Sequence, residues 1–559
     1  MNWINENSMS RVLLRHYPEL APALRGVNNP FTPWNTVGPH ILAEEEPVAL
    51  GRLSARETLM WYLRRGFWNH LMTFKYRGDK PSTIPVPVAD SPITLVPLSE
   101  KFPAIPVRGV FVADRVPNDE ARGQHRVKTA FSHFQAMLTR LVPPTQPGLP
   151  PVPADPVAAL DRAYTKAHRK LFPAPVRPKE TTLGQLAVAS PYACYLQRTP
   201  DGGFRWDLSV LRNFEVHPGL VRLGAVVDFR LDPGGGGLEA TRIESELGTH
   251  VPGDPKWMAA TRLAMCSLTN HASLVRHFNW LHLTCGGPLA VVTRSRLPAD
   301  HHVRRFLWPH VYGTQFSNAM VTPILMSKGG DFESVFSFTH AGLCRLFEFT
   351  TAEFDLGKIN PLVDAARRGV ADLGRTAVVQ QNNEALFKIF SDHARRYLSR
   401  CYDSDDSLAN DQEFGAWANE LGQRLPHGVG AVMPDGSGLD GAAQLLATLA
   451  YMASIEHEMT GSGLWDYQLW NDVSPVRIYE HGLREPLDVS QRLVNANFNL
   501  NVHRTMLLQD FSGLAVDNVR GEAFGAFYRD LCDYQAVLDR SAPAPWRLEP
   551  KRLKANINA

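Results

Sequence analysis

Apolar residues follow two different patterns along this chain. From about residue 257 onward they recur at helical spacing, and two stretches are apolar on nearly every side. Residues 257–284, WMAATRLAMCSLTNHASLVRHFNWLHLT, contain neither proline nor glycine. A helix apolar all round belongs in the interior of a large body. Cys285-Gly286-Gly287-Pro288 follows and reads as a stop. Residues 441–460, GAAQLLATLAYMASIEHEMT, form the second such stretch, interrupted by Glu456, His457 and Glu458 and followed by Gly461-Ser462-Gly463.

Before residue 250 the pattern is shorter and more broken. Residues 55–76, ARETLMWYLRRGFWNHLMTFKY, predict a helix packed on the main body, and its arginines leave room for a transient contact with a membrane surface. Residues 83–113 alternate proline with valine and isoleucine, which reads as extended chain or edge strand because proline cannot donate to a central ladder. Residues 142–156, VPPTQPGLPPVPADP, read as a surface loop or linker of polyproline character. WDLSVL, AVVDFRL and LEATRIESEL, between about 205 and 250, are short strand-like runs. DPGGGG at 232–237 separates the last two and predicts a hairpin. No internal repeat is present, and strands do not alternate with helices, which argues against a parallel α/β sheet. The expectation is a mainly α protein with small β elements. A helical, irregular and proline-rich part over 1–180 packs on a body over 181–559, the two forming one continuous domain.

Composition narrows the classes. The chain has 559 residues, 44% hydrophobic and 20% charged, which is ordinary for a globular protein with a deep core. Lys+Arg number 58 and Asp+Glu 56, a net +2, which lacks the basic excess of a nucleic-acid binder. The start, MNWINENSMSRVLL, lacks the pattern of a secretory signal, and no long uncharged apolar run reads as a membrane span. Six scattered cysteines without a CxxC pair read as reduced thiols, and a cytoplasmic location is expected. DPGGGG is not a phosphate loop, since no GK[ST] follows, and no GxGxxG occurs.

Polar side chains inside apolar helices need partners, so His277, His282 and His457 call for an explanation. Five residues at about 100° each leave His277 and His282 roughly 140° apart on a regular α-helix. They are then either hydrogen-bonded core histidines or ligands brought onto one face by a π distortion with i→i+5 bonding. His457-Glu458-Met459-Thr460-Gly461 begins like the zinc-protease HExxH, but glycine stands where the second histidine is needed. His457 in a last helical turn also suits the helix dipole.

Together these segments resemble the catalytic domain of the lipoxygenases. His277-Phe-Asn-Trp-Leu-His282 resembles the family's HxxxxH iron motif. Val291-Val-Thr-Arg294-Ser-Arg296-Leu297, then His301, then Leu307-Trp-Pro309-His310 resembles the stretch that follows it. His457 falls where the family keeps a third iron histidine. The tail from Pro550 to Asn556-Ile557-Asn558-Ala559 is similar to the family's Asn-x-Ile-x-Ile ending. The similarity covers about 250 to 559. It implies a helical domain around two long metal-bearing helices, of compact bacterial type with no room for an N-terminal β-sandwich.

The resemblance further implies one non-haem iron, with manganese as the alternative, held by His277, His282, His457 and the terminal carboxylate of Ala559. It implies a bound hydroxide that takes a hydrogen from the methylene between two cis double bonds of a polyunsaturated fatty acid. O2 then adds to give a lipid hydroperoxide. No side-chain general base is required. His310 reads as a neighbour of the ligands or a core residue, and a monomer is expected. Two positions depart from the family. Gly461 stands where a further ligand (Asn, His or Ser) is usual, so water or a neighbour must fill that place. Ala559 replaces isoleucine, and burying Ile rather than Ala is worth on the order of 2 kcal/mol, so a looser tail is expected. The family's Gly/Ala position control matches near Lys328 or Gly329, which could equally be a simple glycine turn. These departures motivate an alternative of changed chemistry, such as hydroperoxide isomerisation or oxidation of a non-fatty-acid metabolite; a metal-free lipid-binding relative is a separate reading of a different class.

Overall fold

The computed structural model describes residues 84–89, 92–121, 182–232, 237–330, 332–333, 336–461, 475–478, 480, 505–541 and 547–557. The helix expected at 55–76 and the proline-rich loop at 142–156 lie outside them. Strands β1 (Leu95–Pro97) and β2 (Phe111–Ala113) pair antiparallel, with a short helical turn, Leu98–Lys101, after the first. A five-stranded antiparallel meander follows: β3 (Gln197–Arg198), β4 (Phe204–Asp207), β5 (Val226–Leu231), β6 (Leu238–Ser245) and β7 (Gly248–His250). The hairpin expected across DPGGGG is β5 and β6, with Leu231 opposite Leu238. WDLSVL is strand only to Asp207; Ser209–Asn213 winds into a 3-10 turn, where the Asp207 carboxylate accepts from the Ser209 amide at 2.9 Å.

Helix α1 (Leu183–Val188) packs on β6, as does the first segment of α2. Helix α2 has three parts: α-helical Trp257–His271, π-helical Ala272–Gly286 and α-helical Gly287–Arg296. It does not stop at Gly286-Gly287-Pro288. Pro288 lies just past the end of the π segment, inside a helix that runs on to Arg296. Gly286 is there for packing: a Cβ would lie 2.3 Å from the Leu281 carbonyl oxygen and 2.8 Å from Ile557 Cδ1. The glycine admits the C-terminal tail against the helix.

Helices α3 (His302–Val311), α4 (Thr314–Met326), α5 (His340–Ala352), α6 (Pro361–Arg368), α7 (Val378–Leu398) and α8 (Gln412–Arg424) follow. Helix α9 is again composite: α-helical Gly438–Tyr451, π-helical Met452–Glu456 and a last turn, His457–Thr460. Helix α10 (Asn518–Arg540) closes the body, with α7 packed against both α9 and α10. One continuous apolar core runs from the sheet through α2, α7 and α9, and includes Trp206, Trp308, Tyr397 and Tyr451. Among the described residues no helix is long and apolar enough to cross a membrane. The architecture is mainly α, built around α2 and α9.

Candidate metal centre

Two π segments side by side are the local cause of the site. In an α-helix His277 and His282 would diverge; i→i+5 bonding over Ala272–Gly286 stacks them instead. Their rings are 11° from parallel with centroids 5.1 Å apart. His457 follows the π segment of α9 directly. The two helices are locked by a buried ion pair, Arg276 Nη2 to Glu456 Oε1 at 2.7 Å, one residue before each histidine. Removing one partner of such a pair costs about 3–5 kcal/mol, so the alignment is firmly held.

Nε2 of His282 lies 3.1 Å from Nε2 of both His277 and His457. Their protons can be placed. Asn318 Nδ2 donates to the His282 carbonyl at 2.7 Å, which turns its Oδ1 toward His282 Nδ1 at 3.0 Å; that nitrogen must donate. His457 Nδ1 faces Glu458 Oε1 at 3.2 Å and donates likewise. His277 bonds the Thr460 backbone on its Nδ1 side. All three rings therefore turn a bare Nε2 lone pair toward one point. Neutral lone pairs 3.1 Å apart repel unless a cation lies between them. Metal–imidazole bonds of about 2.1 Å set at right angles separate the nitrogens by about 3 Å, so the donor set fits one divalent ion. Among the described residues this is the one group of three or more His, Cys, Asp or Glu that could hold a metal.

Electrostatics agree. Burial pushes the His282 pKa down to about 4, against the raising hydrogen bond to Asn318. Burial, then the neighbouring imidazoles, hold His277 well below the ordinary histidine value, although that ring keeps a partly exposed edge. His457 is lowered by burial, then by the Lys554 cation and His282. Neutral imidazole is the ligating form. On one flank Phe278 stacks on His282 and continues into Phe332 and Phe347, an apolar wall.

The tail reaches the same place. His310 Nδ1 donates to the Ala555 carbonyl at 2.7 Å and Ser454 Oγ donates to it at 2.9 Å. Asn556 Nδ2 donates to the Tyr312 carbonyl at 2.9 Å, and Ile557 is buried. His310 thus anchors the tail, and Ile557 is its apolar plug. Ala559 lies outside the described residues. Gly461 ends α9 against the metal cluster: a Cβ there would lie 2.1 Å from His277 Cε1. The space that a side chain at 461 would need is filled by the His277 ring. Lys328 is exposed on a turn and Gly329 has φ 74°, so these two form the glycine turn rather than a buried pocket wall. His301 caps α3 by accepting from the Val303 amide. Asn318 escaped the sequence reading: α4 also carries Gln315, Ser317 and Thr322, so nothing in the sequence singled it out.

His271 and His310, outside the cluster, are held neutral by burial, at about 3 and about 4. Unfolded histidine titrates near 6.5, so below that pH the unfolded chain binds more protons and stability falls. Denaturation of the metal-free protein is expected to show a progressive loss, on the order of several kcal/mol, between pH 6.5 and about 4. A flat profile would contradict neutral buried rings.

No family model matches the chain. Among curated proteins it is 26% identical over 263 residues to a mouse polyunsaturated fatty acid lipoxygenase, covering 45% of this chain and 39% of that protein. It is 24% identical over 233 residues to a chloroplastic lipoxygenase of rice, covering 38% of this chain and 24% of the other. The matched region thus spans about two fifths or less of these relatives. Among solved structures, a lipoxygenase in complex with arachidonate superposes with TM-score 0.68 at 14% identity, over 88% of this chain and 81% of the other. A coral 8R-lipoxygenase superposes with TM-score 0.61 at 17% identity, over 68% and 67%. The fold is that of lipoxygenases. The family-level resemblance holds: the chain is similar to lipoxygenases in sequence and in fold, with His277, His282 and His457 brought together on its two central helices.

Proposed function

We propose that the chain is a non-haem iron dioxygenase that adds O2 to a polyunsaturated fatty acid and yields a lipid hydroperoxide. The observation that carries this reading is the convergence of three bare Nε2 lone pairs, that of His282 lying 3.1 Å from each of the other two, inside a lipoxygenase fold. When bound, iron supplies the one-electron oxidation that removes a hydrogen from a bis-allylic methylene. The chain's own residues do the rest. Asn318 and the Thr460 carbonyl hold the Nδ1 protons of His282 and His277, so these two rings present their Nε2 in a fixed direction. The phenylalanine wall beside His282 excludes water from one side and suits a hydrocarbon chain. The mouse relative's name, which specifies polyunsaturated fatty acids, supports that substrate class.

The test is elemental analysis of the purified chain with oxygen uptake on linoleate and arachidonate, read by conjugated-diene absorbance. About one iron per chain and diene formation are expected; iron-free protein that consumes no oxygen would refute the proposal. Extending the chain beyond Ala559 by a short tag is expected to lower the iron content. Unchanged iron would remove Ala559 from the ligand set while leaving the histidines in place.

A further inference from the structure

Glu458 has no part in the reaction above, and the second histidine of a zinc-protease motif is missing beside it. It is nevertheless buried against the metal cluster. Burying a carboxylate is costly unless it is paired and hydrogen-bonded. Glu458 Oε1 is 3.2 Å from His457 Nδ1 and 3.2 Å from Lys554 Nζ, and both charged side chains are buried. The carboxylate meets the far nitrogen of His457, not the Nε2 that faces the other rings, and it is not in the convergent ligand group. Lys554 is itself held in place. It bridges to Met506, and the next residue's amide, Ala555, donates to the Thr505 carbonyl at 2.7 Å. The Ala555 carbonyl is gripped by His310 and by Ser454, which lies in the π segment preceding His457.

We propose that Glu458 and Lys554 are a positioning pair: the carboxylate fixes the tautomer and direction of His457, and the ammonium holds that carboxylate and ties the C-terminal tail to the metal centre. This rests on the metal reading above. A carboxylate accepting from the remote nitrogen of a ligating histidine orients the ring and strengthens it as a donor. Lys554 keeps the carboxylate from being an uncompensated buried charge. It also accounts for a lysine inside a tail that is otherwise buried as Leu553, Ala555, Asn556 and Ile557.

Removing one charge alone would take this partner from the other inside the protein, so the informative variant removes both. In E458M/K554M two apolar side chains of similar length replace the pair, a change that buried ion pairs commonly tolerate. The full-length protein would be loaded with ferrous iron without oxygen and titrated with a competing chelator. E458M/K554M should keep the melting temperature of the metal-free protein within a few degrees, yet hold iron about 10–100-fold more weakly. E458Q/K554M retains an acceptor oxygen and should recover most of that loss. E458D keeps both charges but withdraws the carboxylate by one methylene; it should weaken iron retention several-fold even if the double variant does not fold. Wild-type iron affinity in E458M/K554M, or in E458D where the double variant is unfolded, would overturn the positioning role. Wild-type protein that binds no iron would instead overturn the metal reading itself.

Discussion

Gly461→Ala should strip the metal from this protein, although it adds a single methyl group. The new Cβ would stand 2.1 Å from His277 Cε1, 2.5 Å from its Nδ1 and 2.8 Å from the His457 carbonyl oxygen. The obstacles here are a backbone carbonyl and a ring whose Nδ1 side bonds the Thr460 backbone. Overpacking of this kind costs about 1–3 kcal/mol, and the cheapest relief is for His277 to swing out of the cluster. Two histidines then remain where three were arranged. Gly461→Asn gives a sharper version, because asparagine is a usual ligand type at the matching family position. Ordinary homology would predict a better site; the packing here predicts a worse one. Iron per chain and melting temperature decide it, and an asparagine variant that holds iron more tightly than wild type would contradict the packing argument.

His282→Ala should be the most damaging single substitution for activity. Its Nε2 faces both other rings at 3.1 Å, so it is the shared member of the cluster. Its loss also abandons the side-chain amide of Asn318, buried in α4 with an oxygen aimed at a ring no longer there. The expected outcome is loss of metal, loss of oxygen uptake to background, and a destabilisation of a few kcal/mol from the cavity and the unpaired amide. His310→Ala separates the two effects. It removes a tail anchor rather than a ligand, so stability should fall before iron is lost. Equal iron in His282→Ala and wild type would sink the ligand assignment.

Much of this site could be read from residue spacing. Two polar rings five apart in a helix with no polar face were either bonded core histidines or ligands on a distorted helix, and the π segment at Ala272–Gly286 is that distortion. The π segment at Met452–Glu456 left no such trace, because it serves a single histidine and one residue has no spacing. Gly286-Gly287-Pro288 misled for a physical reason. Local signals describe what the backbone can do alone, whereas Gly286 answers to Ile557, some 270 residues away. Asn318 and Lys554 were hidden in the same way: each is defined by a partner brought close only by the fold. One strand pair, β5 with β6, was legible from the glycine-rich run between two strand-like segments. Lys328, an apparent pocket residue by position, is exposed because Gly329 takes a left-handed turn there.

X-ray absorption on the chain loaded with ferrous iron asks most directly whether three rings share one ion. Imidazole scattering from three nitrogens near the usual metal–imidazole distance of about 2.1 Å is the predicted result, with the bound-iron signal itself lost in His457→Ala. A spectrum with one imidazole or none, or one unchanged by that substitution, would contradict the convergence on which the proposed chemistry depends.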